Sequence, residues 1–515
     1  MIKFLDKVVA EIKLNELDLI KTCFVLPNKR SSIKLKALLL KRQTTTSFSP
    51  RICSIDEFII GISGLKELDN EKQLLLLHET YLEKSIKTEN SSFENFLDWA
   101  VKFLKDASEI EQNLLDPEKI FKELAEINKL QNWSEADNVK ITKDHFWSSL
   151  PKLYQTFKKK LLNIDSGTKG ICYCEASKNL EFYKEGNPNV KHFFIGLNAL
   201  TYSEELIIKE LVDLNDGDIF WDIDKEFIKN KYHKSSYYIN AYKKRWNRYN
   251  KKEFKWVLDD YKKKKKFNII SCPNFISQAN QIAASLNTIV AKNNDETAIV
   301  LGDENLIAPY MYVNQQDQKN LDVSVNQKLD VHDIIELINL IFSIHYEKNT
   351  FNEQIFKRLQ ENMFFKRIFK SYALLTELER KTMLKIIDCK TKSIDMIKSL
   401  CHFFDFAHKR ALEKSTYQIK LKMCCEALRI VKNLTYSFSS LTIKEVLLKI
   451  ILKKLENVVV RYEHNQDGKI KIMGLLESRC LDFENVIISS VNEGILPKGK
   501  TFGSLLPYDL KKRYK

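Results

Sequence analysis

The sequence predicts an α/β protein of two parallel-sheet lobes, each carrying a helical insertion, and three observations predict it. Apolar β-type runs alternate with helix-periodic segments in two separate stretches, a pattern that calls for strands joined by crossover helices. Two further stretches, about 63–165 and 331–455, lose the strand signal and carry apolar stripes at helical spacing. Gly (13) and Pro (9) are scarce in 515 residues, which argues against turn-dense sandwiches, collagen-like repeats and Pro/Gly-rich disorder and favours long helices. The length is too great for one ordinary domain. It divides into a first lobe over 1–265 and a second over 266–515.

The first element is an amphipathic helix, with Ile2, Leu5, Val8, Val9 and Ile12 at helical spacing; Asp6 and Glu11 inside the pattern argue against a signal peptide. Thr22–Leu26 reads as a strand closed by Pro27 and Asn28, followed by a helix through Ile33, Leu35, Leu38 and Leu39. A short strand near Arg51–Cys53 leads into a helix whose start is marked by Ser54 and Glu57, a capping-box spacing. After the first helical stretch, strands are expected at Ile171–Cys174, His192–Leu197 and Asp218–Asp222, the last two bracketing a helix at Ser203–Leu211.

The second lobe opens with an expected strand at Phe267–Cys272, a helix at Ile276–Val290 and the strand Thr297–Leu301 closing on Gly-Asp-Glu-Asn. CFVLPNKR and AIVLGDEN echo each other as strands ending in a polar turn before a helix. Beyond the second helical stretch, strands are expected at Val458–Arg461, Ile470–Met473 and Val486–Ser490, with one short element, Tyr508–Tyr514, after them. So short an ending leaves a parallel lobe poorly closed, and the chain is expected to be truncated relative to its natural architecture.

A net charge of +15 points toward anionic partners, but the basic residues are 70 Lys and only 13 Arg, a skew that AT-rich coding also produces. The charge is concentrated in residues 242–266, where Lys and Arg interleave with Tyr242, Trp246, Tyr249, Phe254, Trp256 and Tyr261. That composition suits a groove that tracks phosphates and stacks bases. Tyr242, Trp246, Tyr249 and Trp256 also share one helix face, and core packing outweighs stacking. The longest apolar runs fall far short of the ~18 residues that span a bilayer, so no membrane partner and a cytoplasmic location are expected. The ten Cys include no C-x-x-C pair and read as reduced, mostly buried thiols; Cys401, His402, Cys424 and Cys425 match no standard zinc spacing, and no metal site is expected.

Gly494–Thr501, GILPKGKT, formally satisfies the phosphate-loop pattern after a strand, with Gly494 and Gly499 in the loop, Lys500 on phosphate and Thr501 on magnesium. Pro497 removes a donor, and Gly503 and Pro507 oppose the helix that should follow, so a chance match is favoured. A magnesium nuclease would need an Asp and a Glu-x-Lys on adjacent strands. Asp222 or Asp224 with Glu253 and Lys255 is the one candidate, and its surroundings read as an exposed salt-laced helix. Hydrolase elbows, zinc-protease motifs and dinucleotide fingerprints are missing from the sequence.

The string KIMGLLESRCLDFENVIISSVNEGILPKGKTFGSLLPYDLKKRY resembles the late helicase motif of the AddB/RecC-type proteins, in particular the long Bacteroidetes form of the PD-(D/E)XK nuclease family. Arg479, Cys480, Leu481, Asp482 and Phe483 stand where active superfamily 1 helicases read K-G-L-E-F, and Asn492, Glu493, Gly494 and Pro497 match the E-G-x-x-P turn. The resemblance thereby explains GILPKGKT as a post-strand turn. FVLPNKRSSIKLKALL, FFIGLNALTYSEELIIKEL, DIFWDID and AIVLGDENLI are similar, in this order, to further blocks of the family.

The resemblance implies RecA-like lobes of the P-loop NTPase type, with both ATP sites eroded. Pro27, Asn28, Lys29 and Arg30 replace the phosphate loop, and Gly196 and Leu197 lie where an Asp–Glu pair should hold magnesium. The family's nuclease domain lies beyond the end of this chain. The implied function is a DNA-binding, ATPase-inactive helicase-like scaffold in double-strand-break processing and recombinational repair. Its partners would be single-stranded DNA or duplex ends and an active helicase–nuclease subunit, with no catalytic residue and no cofactor of its own. Lys29 and Arg30 at the first strand end and Arg479 in the late motif are the expected DNA contacts. Two alternatives stay open: a scaffold that docks a helicase without touching DNA, and a nucleotide-binding enzyme using Gly494–Thr501 with Mg and ATP.

Overall fold

A computed structural model describes residues 3–12, 17–42, 48–84, 92–131, 137–229, 233–255, 258–290, 296–314, 320–346, 353–370, 374–411, 416–462, 468–497 and 503–514. The protein is α/β, and two separate four-stranded sheets, parallel throughout, organise it. The first takes β1 (Thr22–Leu26), β2 (Arg51–Ser54), β3 (Lys191–Ile195) and β4 (Asp218–Phe220) in the order β2–β1–β3–β4. The second takes β5 (Thr297–Leu301), β6 (Leu321–Val323), β7 (Ile470–Gly474) and β8 (Asn485–Ser489) in the order β8–β5–β7–β6.

Alternation along the strands decides which helices each face holds. Cys23, Val25, Phe194, Ile219 and Trp221 point to one side of the first sheet, where helices α3 (Ile55–Ser63), α8 (Lys169–Lys178), α9 (Tyr202–Val212) and α10 (Tyr237–Arg245) deliver Phe58, Tyr173, Ile207 and Tyr242. Phe24, Leu26, Phe193, Ile195 and Phe220 point to the other, under α1 (Phe4–Glu11) and α2 (Lys29–Arg42) with Phe4, Val8, Leu35 and Leu39. The expected Ser54–Glu57 capping box starts α3, satisfying two orphan N–H donors, and Thr201–Glu204 does the same for α9.

In the second sheet Ile299, Leu301, Ile472, Leu321 and Val323 face helices α11 (Phe275–Val290) and α12 (Ile307–Val313). The opposite face holds a far smaller cluster, Ala298, Val300 and Met473, with Leu481 and Phe483 against it. Those two residues come from the loop between β7 and β8, not from a helix layer.

The two helical stretches form one body instead of two separate insertions. Residues Leu74–Ile171 and Leu329–Val458 contribute to a single apolar core. The first supplies helices α4 (Asn70–Glu83), α5 (Phe93–Gln112), α6 (Pro117–Gln131) and α7 (Asp137–Leu162), the second α13 (His332–Tyr346), α14 (Ser393–Arg410), α15 (Thr416–Leu434) and α16 (Lys444–Glu456), and α5 packs against α16 where the halves join. Polar contacts stitch the halves: His78 Nδ1 to Ser440 Oγ at 2.9 Å, Phe93 N to Glu445 at 3.0 Å and Lys454 to Glu71 at 2.9 Å. Burial pushes His78 down to about 4, so at neutral pH its ring is uncharged, as a buried site requires. Residues 503–514 close on this body through buried Asp106, which accepts from Ser504 Oγ at 2.8 Å and Leu505 N at 2.7 Å.

Five expectations are corrected. Ile171–Cys174 lies inside α8, started by Thr168, whose hydroxyl accepts from Ile171 N; Gly170 lets α8 approach α5 so closely that a Cβ there would sit 2.5 Å from Ser108 O. Phe267–Cys272 forms no strand and pairs with none among the described residues. Asp218–Asp222 is a strand only to Phe220, and Val458–Arg461 only at Val459–Val460, which pairs antiparallel with Gln327–Lys328. The basic stretch is likewise not one continuous helix: α10 ends at Arg245 and a separate turn spans Arg248–Lys251. Among the described residues no helix is long and apolar enough to cross a membrane.

Candidate functional site at the seam between the sheets

In an open parallel sheet the natural binding crevice lies past the carboxyl ends of the strands, where successive connections leave in opposite directions. In the first sheet that point is the β1/β3 boundary, bounded by Pro27–Asn28 and Gly196. The chain fills it with its own loop after β7. Gly196 has φ +71 and forms a notch; a Cβ built there would lie 1.9 Å from Cys480 Sγ. Cys480 itself is left-handed at φ 62, a conformation that costs a non-glycine residue about 1 kcal/mol or more.

The plug is held by backbone and side-chain bonds to residues around the first sheet. Cys480 N donates to Asp222 Oδ2 at 3.2 Å and its thiol faces Gly196 O at 3.8 Å. Asp482 Oδ2 accepts from Phe4 N at 2.6 Å, placing a carboxylate on the first turn of α1, where the helix dipole favours it. Asn28 Nδ2 donates to Leu476 O at 3.2 Å. The outward faces of α1 and α2 complete the seam: Arg30 pairs with Asp322 at 2.8 Å, Lys34 with Glu296 at 3.3 Å, and Lys3 with Glu296. One thin helix layer thus serves two sheets, apolar toward the first and cationic toward the second.

The electrostatics follow from burial. Asp222 is pushed up to about 6, first by desolvation and then by the neighbouring Asp482. Burial, with both carboxylates, raises the Cys480 thiol well above its usual range and keeps it protonated, which removes it as a nucleophile. Burial acts to raise Glu296 too, but Lys3, Lys34 and Lys471 outweigh it and hold it down to about 2. Burial lowers Arg30, and Asp322 and Glu477 partly offset this.

The turn from β1 to α2 has no free cradle for phosphate. Asn28 Oδ1 accepts from Ser31 N at 2.8 Å, and Asn28 O accepts from the hydroxyls of Ser31 and Ser32. An Asn side chain therefore occupies the role a phosphate oxygen would take at a helix N-terminus.

The expected site residues separate into two groups. Lys29 and Arg479 are exposed, one residue after Asn28 and three after Leu476, which meet at the seam. Arg30 is turned inward onto Asp322. Leu481 and Phe483 pack on the second sheet, and Asp482 caps α1. Asn492, Glu493, Gly494 (φ +79) and Pro497 form an exposed turn in which Asn492 O accepts from Ile495 N and Leu496 N. Gly499, Lys500 and Thr501 lie outside the described residues.

The nuclease constellation does not assemble. Asp222 belongs to the seam, Asp224 accepts from Asp260 N and Tyr261 N, Lys255 pairs with Asp218 at 2.6 Å, and Glu253 is exposed. Among the described residues no group of three or more His, Cys, Asp and Glu is arranged to hold a metal ion. Cys401, Cys424 and Cys425 are buried in the helical body while His402 is exposed, and all ten cysteines are free thiols.

Of the aromatic set, Tyr242, Trp246 and Phe254 are buried and Tyr249 is half-buried, while Tyr261 is exposed. Trp221 stacks on Tyr242 at 5.4 Å, Trp246 Nε1 donates to Glu205 at 2.8 Å, and Trp221 Nε1 donates to Tyr249 OH at 2.7 Å. Trp256 lies outside the described residues. Sequence reasoning passed over Asp322 and the pairing of Gly196 with Cys480. The signal it did contain was Gly196 itself, a lone glycine at a strand end where a catalytic acid was sought.

Fold and site together define a two-sheet α/β protein whose crevice is closed by its own chain. No protein-family model matches this sequence, and no curated protein matches it.

Proposed function

We propose that the chain is a DNA-binding, ATPase-inactive helicase-like scaffold of the AddB type, built on two RecA-like lobes and acting in double-strand-break processing. The observation that carries this reading is the closed seam. What supports it is that Cys480, Asn28 and Asp222 fill the crevice past the strand ends of the first sheet, where a nucleotide would otherwise sit. Two carboxylates beside the notch, Asp222 and Asp482, add repulsion against any polyphosphate. Lys29 and Arg479 remain exposed at the seam, and Lys29 stands at the amino end of α2, both suited to backbone phosphates.

The test is fluorescence anisotropy of labelled single-stranded and blunt duplex DNA with the full chain across a salt series. Binding should weaken steeply with salt, and Arg479→Glu should weaken it and lower the salt slope by about one. Salt-independent or undetectable binding by the wild-type chain favours a scaffold that docks a helicase subunit through protein contacts alone.

A further inference from the structure

The second sheet ends in an open edge. Among the described residues β8 pairs with β5 on one side and with no strand on the other. Nothing in Asn485–Ser489 blunts that edge: it carries neither charge nor Pro, the usual protections against strand addition. Val486 and Ile488 stand 51% and 49% exposed on its uncovered face.

A matching segment lies close in the chain. Phe267–Cys272, FNIISC, has the apolar and β-branched composition of a strand and no charge, yet it forms no helix or strand and is largely solvated. Ile269 is 100% exposed and Phe267 80%. Only Pro273 and Asn274 separate it from α11, whose start is fixed by Asn274 Oδ1 accepting from Ser277 N at 2.9 Å. One turn on, Gln278 Oε1 accepts from Ser490 N at 3.1 Å, at the carboxyl end of β8. The carboxyl end of the segment is therefore tethered beside the carboxyl end of β8, the geometry of a parallel neighbour. From there the chain already runs through α11 into β5, a parallel strand–helix–strand crossover within one sheet.

We propose that residues Phe267–Cys272 close onto β8 as a fifth, parallel strand of the second sheet. Closure pairs backbone N–H and C=O groups along both edges and brings Ile269 or Ile270 against Val486 and Ile488. The hinge is Pro273–Asn274, and the other end is held by Asp224, which accepts from Asp260 N and Tyr261 N. This inference is independent of the DNA-binding reading.

Hydrogen–deuterium exchange on the full chain tests it, with Ile269→Pro as the paired variant. The side chain of Ile269 touches solvent alone when the segment is open, and proline cannot donate to a ladder. The expected result is exchange slowed roughly tenfold or more across 267–272 and at the outer amides of β8, with both protections lost together in the variant. Free-peptide exchange across 267–272 would overturn the proposal. So would protection of β8 alone, which would mean that another strand, a second copy included, occupies the edge. Protection that survives Ile269→Pro would overturn it as well.

Discussion

The two sheets have the same size and the same parallel pairing, but the first is buried under helices on both faces while the second is covered on one and leans on a loop and on its neighbour for the other. Phe194, Trp221 and Phe58 anchor one side of the first sheet and Phe24, Phe193 and Phe4 the other. Among the described residues, the buried apolar cluster on the thin face of the second sheet is only Ala298, Val300 and Met473. Its polar positions alternate with core residues and meet the cationic side of α1 and α2: Asp322 pairs with Arg30, and Glu296, just ahead of β5, with Lys34 and Lys3. A parallel sheet normally needs both faces covered. Here the second obtains its cover by docking, so its integrity and the closure of the seam are one property.

Core truncation separates the two most sharply. Phe194→Ala should cost about 3–5 kcal/mol in urea unfolding, because neighbours on three elements cannot collapse into the space. Val300→Ala on the thin face should cost about 1 kcal/mol, since its surroundings are a movable loop. Equal costs would mean that the thin face is packed as a true core.

Gly196→Ala comes next. The added methyl overlaps Cys480 Sγ and adopts a left-handed backbone, for an expected loss of about 2–4 kcal/mol. Combining it with Cys480→Gly, which relieves both the overlap and the strain at φ 62, should recover more than about 1 kcal/mol relative to additivity. A purely additive pair would show that the notch and plug are not coupled.

The smallest effect is titration of the seam. Folding raises Asp222 from 3.8 to about 6, so the folded chain holds its proton more tightly than the unfolded chain between those values. Stability from this group therefore falls as pH rises through that window, and the penalty is fully expressed above about 6. Asp222→Asn keeps the acceptor for Cys480 N and removes the charge. It should stabilise the protein by on the order of 1–2 kcal/mol at pH 7.5 and by little at pH 4, measured by urea unfolding at both pH values.

Much of the scaffold was legible in the sequence. Thr22–Leu26 and Thr297–Leu301 are continuous apolar runs, as strands buried on both faces must be, and the Ser54–Glu57 spacing marked its helix correctly. Ile171–Cys174 misled because its β-type residues sit in a helix selected by packing: Thr168 caps it and Gly170 admits α5. The merging of the two helical stretches left no local trace, since periodicity reports which face is apolar and not which partner covers it. The seam was hidden for the same reason. Arg30 and Asp322 lie 292 positions apart, and a glycine notch for a cysteine is a relation between two loops that neither loop announces.

Calorimetric melting of the full chain with and without Mg·ATP, alongside a DNA-stimulated hydrolysis assay, tests the closed seam most directly. A ligand that binds only the folded chain raises stability by RT ln(1 + [L]/Kd), so millimolar nucleotide reports even weak sites. With Cys480 seated against Gly196, the melting temperature should not move and no phosphate should be released. A melting temperature that climbs with nucleotide concentration, with turnover abolished by Lys500→Ala, would contradict the account.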